Sequence, residues 1–62
     1  MDYLGRYRVG QAMRLLRESD APVTQIAFQC GFQSSAYFTK VFRQQQGVTP
    51  TQFRRQAAQE HP

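Results

Sequence analysis

The chain is 62 residues long, with eight Lys and Arg against four Asp and Glu and a net charge of +4; that length allows one domain, burying only about 60% of its unfolded surface. One cysteine, Cys30, and one histidine, His61, exclude an internal disulfide and a zinc site, so no metal and no cofactor are expected, and a free thiol fits a reducing cytoplasm. There is no signal peptide and no apolar run able to span a bilayer, so no membrane partner is expected; the basic balance fits either an anionic partner or a plain soluble surface.

Glycines and prolines punctuate the chain and few residues between them favour strands, so an all-α domain of about four helices is predicted. The first helix should run from Asp2 to about Ser19. Val9, Ala12, Met13 and Leu16 recur at the spacing of one helix face. Arg6, Arg14 and Arg17 fall on an adjoining face, within roughly 80° of each other. Ser19-Asp20-Ala21-Pro22 ends this helix, because proline disfavours helix in the residue before it. A short second helix, about Val23 to Cys30, can take Pro22 at its first position, where the missing N–H costs nothing. Its buried face is Ile26, Ala27 and Cys30, and Gly31 stops it in the left-handed conformation that glycine accepts.

The third helix is predicted over Ser35 to Gln46. Ser34 caps it, with its hydroxyl answering an orphan backbone N–H. Phe38 and Phe42 lie four apart and point at the core, and Gly47 ends the helix. Thr49-Pro50-Thr51-Gln52 opens a fourth helix: Thr49 caps, Pro50 takes the first helical place, and Gln52 completes a capping box. Phe53 anchors it, and the tail after about Ala57, His61 included, is expected to fray.

Two short helices joined by a tight glycine turn make a helix-turn-helix. The first must be small-faced so that the second can cross it closely, and Ala27 and Cys30 supply that face. The second enters the major groove with its N-terminal half at base edges. Ser35, Ala36, Thr39, Lys40 and Arg43 lie within an arc of ~140° on the third helix, and none of them is large and apolar. Lys40 can donate to guanine, Ser35 and Thr39 can bond several bases, and Ala36 can touch a thymine methyl. Arg43, further along, suits a phosphate. Any exposed helix face is polar and often cationic, so a plain solvated face is the competing reading. The short helix and glycine turn before it favour a recognition helix. The start of the fourth helix, with free N–H groups and a positive dipole, suits a phosphate as well.

These residues resemble the second helix-turn-helix of the AraC/XylS family of bacterial transcription regulators. The likeness runs through Arg8-Val9, Ala12 and Leu15-Leu16, then Ile26-Ala27 and Gly31-Phe32. It continues with Ser34, Tyr37-Phe38-Thr39-Lys40 and Phe42-Arg43, and closes with Gly47, Thr49-Pro50 and Phe53-Arg54. It spans four elements in order, without a gap. The resemblance implies a homeodomain-like bundle: a long linker helix over 1–20, a helix-turn-helix subdomain with a closing helix over 21–57, and a frayed tail over 58–62. It implies sequence-specific binding of double-stranded DNA; together with the polar arc of the third helix, base contacts are expected at Ser35, Ala36, Thr39 and Lys40, and phosphate contacts at Ser34, Tyr37, Arg43, Thr49, Thr51 and Arg54. It also implies a cytoplasmic, nucleoid-associated regulator whose full-length form meets RNA polymerase. The family's first helix-turn-helix and its sensor domain have no counterpart here, so the chain is expected to be an excised or truncated half. Pro22 stands where a cap-forming Ser or Thr is common.

Other residues carry two readings. Cys30 is a redox switch or, by the burial habit of free cysteine, a small core residue. Phe28 packs on the linker helix, on the missing subdomain, or partly in this module's own core. Tyr3, Leu4 and Tyr7 pose the same question and would form an exposed apolar patch if unpartnered. Tyr37 suits packing with its hydroxyl near phosphate, against a base contact. Arg14 and Arg17 are solvated or phosphate-facing. An alternative function follows from the apolar patch: a protein-interaction or self-association module working through the first helix. An enzyme is not expected, because the four acidic residues lie outside the helix-turn-helix and no nucleophile–base pair or phosphate-cradling glycine loop is present.

Overall fold

The computed structural model describes residues 3–59. Four helices follow in order: α1 (Tyr3–Glu18), α2 (Val23–Gln29), α3 (Ser35–Gln46) and α4 (Pro50–Gln59). The predicted elements are all present, with ends shifted by a residue or two. Pro22 sits one place earlier than expected: it is the N-cap of α2, at φ −58° and ψ 146°, and its carbonyl accepts the Ile26 N–H at 3.0 Å. There is no side-chain cap bond here, because the proline ring carries no acceptor. The fourth helix outlasts its predicted end at Ala57, because Ala57 and Ala58 are the strongest helix formers and nothing there opposes continuation. His61 and Asp2 lie outside the described residues.

The turns are set by local chemistry. Gly31 has φ 93°; its N–H reaches the Phe28 carbonyl at 3.1 Å and the Phe32 N–H reaches the Ala27 carbonyl at 3.0 Å. This is the Schellman pattern, which closes a helix on a left-handed glycine and turns the chain sharply. Ser34 Oγ accepts the Tyr37 N–H at 3.0 Å, starting α3. The reciprocal capping box starts α4: Gln52 N–H donates to Thr49 Oγ1 at 3.2 Å, and Thr49 N–H donates to Gln52 Oε1 at 3.0 Å.

Val9, Ala12 and Leu16 of α1, Ile26 and Ala27 of α2, and Phe38, Val41 and Phe42 of α3 close around one core. Phe32 from the α2–α3 turn joins them. Four rings run through this core in a row: Phe32 to Phe38 at 5.0 Å, Phe38 to Phe42 at 5.7 Å, and Phe42 to Phe53 at 5.6 Å. All are tilted or edge-on, as the ring quadrupole prefers. Met13, Cys30 and Phe53 are only partly buried, at the margin of the core rather than inside it. Phe28 is 54% exposed, so it does not enter this module's core. Tyr3, Leu4 and Tyr7 are exposed as well.

The far end of α1 is tied to α4. Arg54 Nε donates to the Leu16 carbonyl and Arg54 Nη2 to the Ser19 carbonyl, both at 3.2 Å. A cation at a helix C-terminus satisfies orphan carbonyls and opposes the negative end of the dipole. Arg17 lies over the Phe53 ring, 6.0 Å from its centroid, across the same junction. Among the described residues, no helix is long and apolar enough to cross a membrane.

Candidate nucleic-acid interface

The buried side of α3 fixes what its other side presents. With Phe38, Val41 and Phe42 in the core, Ala36, Lys40 and Arg43 stand exposed, and Ser35 and Thr39 are half-buried at the margin. Thr39 Oγ1 donates to the Ser35 carbonyl at 2.9 Å. The hydroxyl hydrogen is thereby used within the helix, which leaves the oxygen free to accept. Lys40 and Arg43 form no ion pair among the described residues. From Ala21 to Gln59 the sequence contains no Asp or Glu, so no local carboxylate neutralises these cations.

Ala36, Thr39, Lys40 and Arg43 line a shallow recess of about 490 Å³ together with Gln44 and Thr49. The structure therefore brings together most of the residues read as base contacts with two read as phosphate contacts. Gln44 was not among the expected residues, although the spacing of Ala36, Lys40 and Gln44 in steps of four was the available signal. Ser34 and Tyr37 lie apart from this group, around a second recess shared with Arg8, Gly31, Phe32 and Gln33. Arg8 was likewise missed as a member of any site.

The start of α4 offers fewer free N–H groups than expected. The capping box already engages the backbone N–H groups of Thr49 and Gln52, and Pro50 has none to offer. Thr51 is exposed beside them. Arg54, expected on phosphate, instead turns its Nε and Nη2 to the carbonyls that end α1. Its position near the start of a helix suggested an outward cation; the nearby orphan carbonyls of α1 draw it inward.

Two ambiguous residues are also placed. Cys30 is half-buried, and desolvation raises its thiol pKa above the ordinary value. A thiol held protonated is a poor nucleophile, which favours the packing reading over a redox switch. Arg14 pairs with Glu18 at 3.4 Å, on open surface. Among the described residues, no group of three or more His, Cys, Asp and Glu could hold a metal ion.

Comparison with known proteins agrees with this geometry. A family model described as a helix-turn-helix domain matches residues 1–56. The chain is 48% identical over 52 residues to the HTH-type transcriptional activator RhaS of Escherichia fergusonii, covering 84% of this chain and 19% of that protein. It is 46% identical over 54 residues to the HTH-type transcriptional activator RhaR of Cronobacter sakazakii, covering 87% of this chain and 19% of that protein. The crystal structure of a DNA-binding transcriptional dual regulator from Escherichia coli K-12 superposes with a TM-score of 0.85 at 32% identity, over 90% of this chain and 50% of that one. The chain thus spans about 19% of the length of these curated relatives. With its four helices, its glycine turn and this match over most of its length, the chain belongs to the AraC family of helix-turn-helix DNA-binding domains, a family of transcription regulators and not of enzymes.

Proposed function

We propose that the chain reads a specific sequence in double-stranded DNA by laying α3 in the major groove. One observation carries this reading: the outward side of α3 offers small, hydrogen-bonding and cationic groups, with no carboxylate from Ala21 to Gln59. Ser35, Ala36, Thr39 and Lys40 face the bases, with Lys40 donating to guanine and Ala36 touching a thymine methyl. Thr39, its hydrogen held by Ser35, accepts from adenine N6 or cytosine N4. Ser34, Tyr37, Arg43, Thr49 and Thr51 meet phosphate, while Arg54 holds α1 to α4.

Residues 1–20 act as a linker helix and 21–57 as one helix-turn-helix unit with its closing helix. The match to half of a solved regulator supports a pairing with a second DNA-docking unit in a longer protein. Such a protein works in the nucleoid and meets RNA polymerase, a reading supported by its likeness to proteins named transcriptional activators. A single unit makes few phosphate contacts, so this chain alone should bind at about micromolar or weaker at physiological salt. Selecting its preferred duplex from a random pool tests the reading. An enriched motif of a few base pairs is expected; enrichment of no sequence contradicts base reading by α3.

A second reading has its own observation. Tyr3, Leu4 and Tyr7 are 79%, 52% and 56% exposed on α1, and this apolar surface supports self-association through helix–helix contact. Sedimentation at rising concentration and salt tests it, since apolar association persists where DNA binding fades.

A further inference from the structure

One half-buried cation lies outside the face assigned to base reading. Arg8 leaves α1 beside the α2–α3 turn, where a Cβ on Gly31 would stand 3.2 Å from its Nε. Glycine at 31 therefore does two things: it adopts φ 93°, and it lets the guanidinium lie against the turn. Arg8 has no hydrogen bond or ion pair among the described residues. It borders a recess of about 570 Å³ whose other walls are Gly31, Phe32, Gln33, Ser34 and Tyr37.

Residues with unspent donors line this recess. A guanidinium offers five N–H groups in a planar fork that matches phosphate oxygens. Ser34 Oγ accepts the Tyr37 N–H, which leaves its own hydrogen to donate. The Tyr37 ring is placed by Phe32, at 6.1 Å between centroids, and its hydroxyl has no partner among the described residues. No carboxylate lines the recess. Donors without acceptors, around a single cation, suit an anion with several oxygens.

We propose that this recess seats one backbone phosphate of a DNA duplex, held by the Arg8 guanidinium and the Ser34 and Tyr37 hydroxyls. The proposal rests on the reading that α3 occupies the major groove, because the recess adjoins the first turn of α3, where a strand bordering the groove passes. Arg8 is then a positioning contact supplied by α1, and it sets the angle at which the whole domain sits on the duplex without reading sequence.

The test is a salt series of anisotropy titrations of the chain on its selected duplex and on a random one. Arg8→Gln should lower the slope of log K against log salt by about one and weaken both duplexes by the same factor. Tyr37→Phe keeps the ring beside Phe32 and removes only the hydroxyl, so it serves even if Arg8→Gln does not fold. A methylphosphonate scan of the duplex should find one phosphate whose neutralisation weakens the unaltered chain and costs measurably less in Tyr37→Phe, whose remaining contact there is through Arg8 and Ser34. Additive penalties at every phosphate, or an unchanged slope in a folded Arg8→Gln, overturn the proposal while leaving the base preference of α3 standing. A chain that binds no duplex overturns both. Saturation of the Arg8 side-chain NMR signal by inorganic phosphate, with an unchanged DNA salt slope, marks a free-anion site and overturns the backbone seat.

Discussion

Phe38, Val41 and Phe42 on one side of α3 are buried, and each ring meets another ring. Ala36, Lys40 and Arg43 on the other side touch open solvent, and among the described residues neither cation forms an ion pair. The two sides share one backbone, yet they answer to different requirements. The inner side must fill space with apolar volume; the outer side must keep its donors unspent for a partner. Stability and recognition are thereby separable along a single 12-residue helix, and substitutions on each side should register in different measurements.

Phe42→Ala should produce the largest effect, a loss of about 3–5 kcal/mol in urea or thermal unfolding. Phe42 bridges the rings of Phe38 and Phe53, and a loss of this size rivals the whole stability of so small a domain. A variant with native helicity and an unchanged melting temperature would break the comparison on its inner side. Lys40→Ala should leave the melting temperature alone and cost about 1–3 kcal/mol of binding on the preferred duplex, relaxing one base position. An equal loss on every duplex would move Lys40 from bases to phosphate.

Arg54→Met sharpens the comparison, because Arg54 is a cation that belongs to the structural side. It should cost about 1–2 kcal/mol of stability through the lost bonds to Leu16 and Ser19 and leave the salt slope of DNA binding unchanged. A slope lower by about one would return Arg54 to the phosphate contacts. Glu18→Gln should change stability by less than ~0.5 kcal/mol, since its pairing with Arg14 is exposed on both partners and such pairs contribute little. A larger loss in a melting experiment would show that this end of α1 is more tightly held than its exposure indicates.

What could be read from the residues alone follows the range of the interactions involved. Ser34, Gly31, Gly47 and the Thr49–Gln52 box act over three or four positions, so each helix boundary was legible within a residue or two. The outer face of α3 was legible for the same reason, as an arc on one helix. Phe32 escaped because it lies in a turn, where no periodicity marks a residue as buried, and Val41 because the spacing of the two phenylalanines drew the face too narrowly. The Arg54 bonds and the approach of Arg8 to Gly31 depend on how the helices cross, which local patterns do not encode. Such misses concern cations, whose long side chains reach inward or outward with little trace in the sequence.

Arg54 lies 38 positions from Leu16 and 35 from Ser19, whereas the other side-chain hydrogen bonds described above span at most four. The clasp therefore closes a loop that contains the entire helix-turn-helix. Bringing the ends of a loop that size together costs on the order of 3 kcal/mol in chain entropy before any contact forms. Helices α1 to α3 can associate first, and α4 then swings back onto α1 to complete the ring. A bond made after the rate-limiting barrier slows opening without hastening closure. In a chevron plot Arg54→Met should therefore raise the unfolding limb and leave the refolding limb almost unmoved, which makes Arg54 a latch on the lifetime of the folded domain.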